Sequence, residues 1–330
     1  MDALVSPYHF TTREPPVMAA ALLADRVFTL LPSPPGGQDA ARLAADRVPD
    51  YLEMMRSWRW SQPLWEAGVV SPSVADDLPP ASEMAYAWRR LTTDPTCAPL
   101  APLMRLDLYG SEDDYLQAVA RDVLKAGPDP GVSVPVMLGL DRYAARHALT
   151  VVRPEPASVV QKAEAQLSAR RDRLALVLPV LLQADADTVI IARDLLEPEL
   201  EALRAAMNAV VEGLTAQPVR NGGPGLEREA WCTRAREAAG RYAAAFAEHL
   251  PELVACHDAD DVALVSGLVG VTLTTHPVDV VLKASSMATR TLRTSGRGRS
   301  PASELATMDE LAGRPVSSMV IRVMSRDAAA

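Results

Sequence analysis

Cysteine is scarce in this chain. Cys97, Cys232 and Cys256 are the whole complement, an odd number and widely spaced. That excludes a disulfide framework and a paired-cysteine zinc knuckle, and it suits a reducing cytoplasm. No apolar run reaches the roughly 20 residues needed to cross a bilayer. The most apolar window, 262–282, is interrupted by Ser266, Thr272, Thr274, Thr275, His276 and Asp279, and is expected to be a buried strand followed by a helix. The opening MDALVSPYHFTTREPP lacks a basic stretch leading into an apolar one, so neither a secretion signal nor a membrane is expected. Positive charge is in the minority: 33 Lys and Arg face 42 Asp and Glu, for a net charge of −9. Wholesale binding to nucleic acid or an anionic membrane is thereby disfavoured, although a local basic patch is not. The Walker phosphate loop, the Rossmann glycine fingerprint and the GxSxG nucleophile elbow are all missing. So is any internal repeat of about 20–50 residues. No pattern names a cofactor.

What is present is a core. Hydrophobic residues make up 48% of 330, aromatics only 5%, and alanine is abundant, which favours closely packed helices. The length suggests about two domains. The organising stretch is 172–214, DRLALVLPVLLQADADTVIIARDLLEPELEALRAAMNAVVEGL. Its first part, 174–182, suits a buried strand or a buried helical turn, with Pro179 arguing against a central strand. Asp185 or Asp187 offers an N-cap. Leu196, Leu200, Leu203, Met207, Val210 and Leu214 then recur at steps of three and four, one stripe facing the core. Glu197, Glu199, Glu201 and Arg204 fall largely off that stripe. Pro198 predicts a kink, or a new helix with the proline in its first turn.

The other elements follow the same reasoning. A short strand is expected over 5–11, a helix over 15–24 and a strand over 26–31, a small β–α–β unit with parallel strands. A helical segment from 38 onward breaks or restarts at Pro49. Trp58, Trp60 and Trp65, with Met54, Met55 and Leu64, could form a stacking platform for a ring. An aromatic anchor between helices is the ordinary reading and takes precedence. Further helices are expected over 111–125, 136–147, 156–170 and 226–250, the last with Trp231, Ala235, Tyr242 and Phe246 on one side. Strands are expected over 103–109, 149–153, 262–275 and 317–325. The loop AGPDPG at 126–131 is the best domain boundary, giving an N-terminal α/β half (1–126) and a C-terminal helix-rich α/β half (132–330). The expected class is mixed α/β, helix-dominated, with a modest sheet.

The opening YHF, a short helix and DRVFTLLP, together with ARDLLEPELEALRAAM, resemble a family of uncharacterised bacterial proteins. That family pairs a strand–helix–strand start with a long charged helix. The resemblance implies a bacterial cytoplasmic setting and transfers no catalytic residue.

Three polar features could carry chemistry. Lys283, Arg290, Arg293, Arg297 and Arg299 occur with no acid between Asp279 and Glu304, and glycine and serine are interleaved. Guanidinium forks suit phosphate and carboxylate, so this is a candidate anion-binding loop, although runs of like charge are ordinarily solvated and mobile. His249, Cys256 and His257 with Asp258, Asp260 and Asp261 are metal-ligand types, but their spacing is poor for a structural site and no metal is expected. His276, just before Pro277, would lie at a strand-to-helix junction if a helix opens there. That is where a general base or an anion contact belongs in an open α/β sheet. His9 is a weaker version of the same idea. The leading expectation is a binding or regulatory protein with a protein partner. The alternative is an enzyme acting on an anionic, phosphorylated small molecule, with His276 and the arginine loop around one pocket. A local nucleic-acid contact through that loop comes third.

Overall fold

The computed structural model describes residues 1–29 apart from 12 and 14, then 48–72, 112–125, 150–154, 173–216, 225–257, 264–275, 279–292 and 317–324, with single positions at Thr93, Val132, Val136, Leu140 and Tyr143. The protein is mixed α/β with helices dominating, the class expected. Strand β1 (Ala3–Val5) is shorter than the strand expected over 5–11. Pro7 fixes a helical φ and opens α1 (Pro7–Phe10) instead. Helix α2 (Pro15–Leu23) starts on its two prolines, and the chain returns in β2 (Val27–Phe28). β1 and β2 are parallel, the unit the sequence predicts. Helix α3 (Pro49–Ser57) restarts at Pro49. A 3-10 turn (Arg59–Ser61), α4 (Gln62–Glu66) and β3 (Val70–Ser71) follow. Next come α5 (Glu112–Val123) and β4 (Thr150–Pro154). The expected strand over 103–109, the boundary at 126–131 and the helix over 156–170 lie outside the described residues. Of the helix expected over 136–147, Val136, Leu140 and Tyr143 are helical and buried.

The organising stretch resolves into β5 (Arg173–Gln183), α6 (Ala186–Leu195) and α7 (Glu197–Ala216). Pro198 falls in the first turn of α7, where its missing N–H has no intrahelical partner to lose. Leu196, Leu200, Leu203, Met207 and Val210 are all buried, as their spacing requires. Helix α8 (Gly225–Cys256) runs through Pro251 and past the end expected at residue 250. Ala235, Ala238, Tyr242, Phe246, Leu250 and Leu253 form its buried stripe. β6 (Leu264–Thr275), β7 (Asp279–Leu292) and β8 (Ser317–Met324) complete the chain. Two expectations fail here. Pro277 does not open a helix, because Asp279–Leu292 is a strand along β6. Residues 289–292, expected in a mobile segment, belong to that strand too. Its β-branched and apolar residues find ladder partners on both sides, from β6 and from β8.

The strands form one sheet in the order β3-β2-β1-β4-β8-β7-β6-β5. β1, β2, β3 and β4 are mutually parallel, β8 is antiparallel to β4, and β5 to β8 form an antiparallel meander. β4 lies between β1 and β8, so strands from before and after 126–131 share the sheet. Successive strands step outward from β1 to β2 and β3, and β4 is added on the other side. The strand order therefore reverses at the β1/β4 boundary. β5 ends the order, so Pro179 lies in an edge strand, where the missing N–H is tolerated. The Pro179 carbonyl accepts from the Tyr242 hydroxyl at 2.8 Å, and α8 thereby covers that edge.

At the centre is α2. It is apolar all round, which only a fully enclosed helix can be. Residues 17–24 are 0–4% exposed. The helix packs on β1 and β4, in the middle of the strand order, and on β5 at its end, so the sheet curves about it, while α1 and α6 close it off. Two arginines cap its carboxyl end, where orphan carbonyls carry the negative end of the helix dipole. Arg193 of α6 donates to the carbonyls of Ala21 and Ala24, both at 2.6 Å, and of Asp25 at 2.9 Å. Arg204 of α7 donates to Leu23 at 2.7 Å and Ala24 at 2.9 Å, and pairs with the Asp25 carboxylate at 3.0 Å. Burial and the neighbouring Arg204 push Arg193 down to about 10, so it stays charged at neutral pH. Arg204, expected off the buried stripe, is 8% exposed: the helix it caps covers it.

Candidate functional site

In an open α/β sheet, ligands gather outside the carboxyl ends of parallel strands, beside the point where strand order reverses. Here that point is the end of β1. The residue after β1 is Ser6, which occupies the N-cap position of α1 yet makes no capping bond. The residue after β2 is Thr29. The register pairing Leu4 with Phe28 sets Thr29 beside Val5, with Ser6 one position further along. Ser6 is 1% exposed and Thr29 0%, and neither hydroxyl has a hydrogen-bond partner among the described residues. Leaving a buried hydroxyl unmatched costs about 1–3 kcal/mol, so two on neighbouring strand ends need a reason. Ser266, two residues into β6, is a third such hydroxyl.

The surrounding turn is rigid. His9 is buried in α1, and its backbone N–H donates to the Ser6 carbonyl at 3.0 Å. Tyr8 donates to the Asp122 carboxylate at 2.7 Å, tying α1 to α5, and Asp122 is 1% exposed. Asp50 of α3 accepts from Arg121 at 3.0 Å and from Gln117, joining α3 to the same face of α5. The tryptophans act as anchors, as expected. Trp58 is fully buried against Phe10, ring centroids 4.9 Å apart, and donates to the Thr11 hydroxyl at 3.0 Å. Trp60 donates to the Phe10 carbonyl at 2.9 Å and Trp65 to the Ser61 hydroxyl at 3.1 Å.

His276, Arg293, Arg297 and Arg299 lie outside the described residues. Lys283 and Arg290 lie on β7, opposite Thr272 and Ser266 of β6. The chain leaves β6 at Thr275 and enters β7 at Asp279, on the far edge of the sheet from the carboxyl ends of β1 and β2. It leaves β7 at Leu292, on the near edge. The length of β7, about 40 Å at strand rise, separates those two flanks. The helix that would have placed His276 at an anion-binding N-terminus is absent, because a strand follows. His9 lies in the last turn of α1, four residues past the carboxyl end of β1.

The histidines considered for a metal turn to carboxylates. His249 faces Glu252 at 3.4 Å. His257 is buried, with Nδ1 2.5 Å from Asp185 Oδ2 and 3.2 Å from the Thr188 hydroxyl. Asp185 is the N-cap of α6, accepting from the Thr188 N–H at 2.6 Å and from its hydroxyl at 2.8 Å. A carboxylate only accepts, so Nδ1 carries a proton. This cluster locks the end of α8 to the start of α6. Among the described residues no group of three or more His, Cys, Asp or Glu could hold a metal ion, and no helix is long and apolar enough to cross a membrane.

Sequence reasoning missed Ser6, Thr29, Asp122 and the arginine cap. Only the strand–helix–strand opening signalled the first two, since a hydroxyl residue follows each short apolar strand. The chain matches no family model, no curated protein and no solved structure.

Proposed function

We propose that the protein is a binding or regulatory protein of a bacterial cytoplasm that takes a small polar ligand at the carboxyl ends of β1 and β2. One observation carries this reading: Ser6 and Thr29 are buried at adjacent strand ends, beside the point where strand order reverses, and their hydroxyls have no partner among the described residues. A ligand with matching donors or acceptors recovers the hydrogen bonds the fold omits. The rigid Tyr8–Asp122 and tryptophan contacts support a site formed in advance, which lowers the ordering cost of binding.

The second reading is an enzyme acting on an anionic, phosphorylated small molecule. It draws support from His9 at the same turn and from Arg290 near the end of β7 that reaches the same sheet edge.

A melting screen with nucleotides, sugar phosphates, carboxylates and neutral metabolites tests the site. A ligand that binds the folded state raises the melting temperature by mass action. The expected result is a shift in the wild type that is abolished in Thr29→Val. An equal shift in both proteins, or none across the panel, overturns the assignment. Ligand recovered unchanged supports binding; ligand converted supports the enzyme.

A further inference from the structure

Arg13 has a backbone φ of +51°, the only positive φ among the described non-glycine residues. An arginine gains nothing locally from that conformation, which asparagine or glycine adopts far more readily. Such strain, of order 1–3 kcal/mol, persists where surrounding structure imposes it and collects at ligand clamps. Here the imposing structure is visible. The Arg13 N–H bonds back to the Phe10 carbonyl at 3.4 Å, and its guanidinium lies over Trp60, 5.2 Å from the ring centroid. Trp60 is itself fixed by its bond to Phe10.

A guanidinium stacked by its face keeps its in-plane N–H groups free. Other arginines of this acidic protein spend theirs on carboxylates or carbonyls: Arg26 on Asp2, Arg121 on Asp50, Arg204 on Asp25 and the α2 carbonyls. Arg13 has no ion pair among the described residues, and it is only half-buried. It lies seven residues after Ser6 along a mostly helical path, about 10 Å at helical rise and within reach of a long side chain. Arg56 and Arg59 are exposed on either side of Trp58.

We propose that Arg13 is the anion-binding residue of the β1/β2 site and that the ligand presents an oxyanion to it, a phosphate or a carboxylate. This rests on the site assigned above. In this assignment the platform-held fork takes two oxygens of the anion, and a strand-end hydroxyl, that of Thr29, binds the polar body of the same molecule.

The test is a set of melting curves on the full chain with inorganic phosphate, pyrophosphate, succinate or a neutral polyol, for wild type, Arg13→Gly, Arg13→Lys and Thr29→Val. An oxyanion should stabilise the wild type and the polyol should not. The phosphate and succinate arms tell the two anions apart. Arg13→Gly should melt no lower than wild type without ligand, because glycine adopts the positive φ freely, and it should lose the oxyanion shift. Arg13→Lys should keep a shift at roughly tenfold higher anion concentration, having charge without the fork. An oxyanion shift that survives in Arg13→Gly overturns the proposal, as does a ligand-free Arg13→Gly that melts well below wild type without any oxyanion effect on the wild type. A neutral ligand lost only in Thr29→Val would leave the site standing and remove Arg13 from it. An oxyanion shift lost in Arg13→Gly but intact in Thr29→Val would keep Arg13 as an anion contact and remove the site.

Discussion

Asp185 holds together two elements far apart in the chain. One oxygen caps α6 through the Thr188 N–H, and the other takes the Thr188 hydroxyl and the His257 ring. Removing a capping side chain alone costs about 0.5–2 kcal/mol. Asp185→Ala also takes the carboxylate from a buried imidazole N–H and leaves it the longer Thr188 contact, a further cost of about 1–3 kcal/mol. Urea unfolding of Asp185→Ala should therefore show a loss of about 2–4 kcal/mol, and Asp185→Asn a smaller one, since an amide oxygen still accepts. Equal losses would contradict the two-part role. The cap was legible in the sequence because capping is local. Its histidine partner was not, because nothing local announces a contact 72 residues away. The same reach separates Arg204 from the carbonyls it serves, and its place off the leucine stripe made it look exposed.

Tyr242 gives a residue-level prediction with a definite sign. Its hydroxyl donates to Pro179, and burial raises its pKa well above the usual tyrosine value. The folded state keeps this proton where the unfolded chain releases it, so the tyrosine's contribution is complete below about pH 10 and declines above it. Tyr242→Phe should cost about 0.5–1.5 kcal/mol at neutral pH. The gap to wild type should then close above pH 10, by up to about 1.4 kcal/mol per pH unit. A gap that stays constant from pH 8 to 11 would show that the hydroxyl is not enclosed.

At the scale of elements, α7 and α8 meet where Gly213 admits Trp231. A Cβ on Gly213 would lie 2.2 Å from the indole. Helix propensity alone favours alanine over glycine by about 1 kcal/mol. The clash with a rigid ring reverses that, because overpacking costs about 1–3 kcal/mol. Gly213→Ala should lower stability by about 1 kcal/mol or more in denaturant titration. A gain would mean that the helices part without cost there. Elements with a strong internal pattern were readable in this way: the leucine stripe of α7, the aromatic–alanine stripe of α8, and the prolines that open α2 and α3. β7 was misjudged because its polar and basic residues look like a loop until strands on both sides supply its ladder. β1 was drawn too long because Pro7, a strong helix starter, was given too little weight against the apolar residues around it.

For the whole molecule, one sheet curving about an apolar helix explains both the stability of the frame and the position of the site. α2 fills the interior, the arginines of α6 and α7 cap it, and the neighbouring parallel strands β1 and β2 end at Ser6 and Thr29. Strand order depends on pairings such as β1 with β4 and β4 with β8, which span more than a hundred residues and leave no local signature. This is why a criterion for a site, the carboxyl end of a parallel strand, was legible in the sequence, while the strand order that decides which ends lie side by side was not. The central claim is that the fold leaves the Ser6 and Thr29 hydroxyls unmatched among the described residues at the carboxyl ends of β1 and β2. The most direct test is the melting temperature of ligand-free Thr29→Val. Removing an unpaired buried hydroxyl at nearly constant volume should raise it, by about 2 °C or more for a gain of about 1 kcal/mol. A melting temperature below that of the wild type would show that Thr29 already has its partner within the folded chain, and the assignment of the site would fall with it.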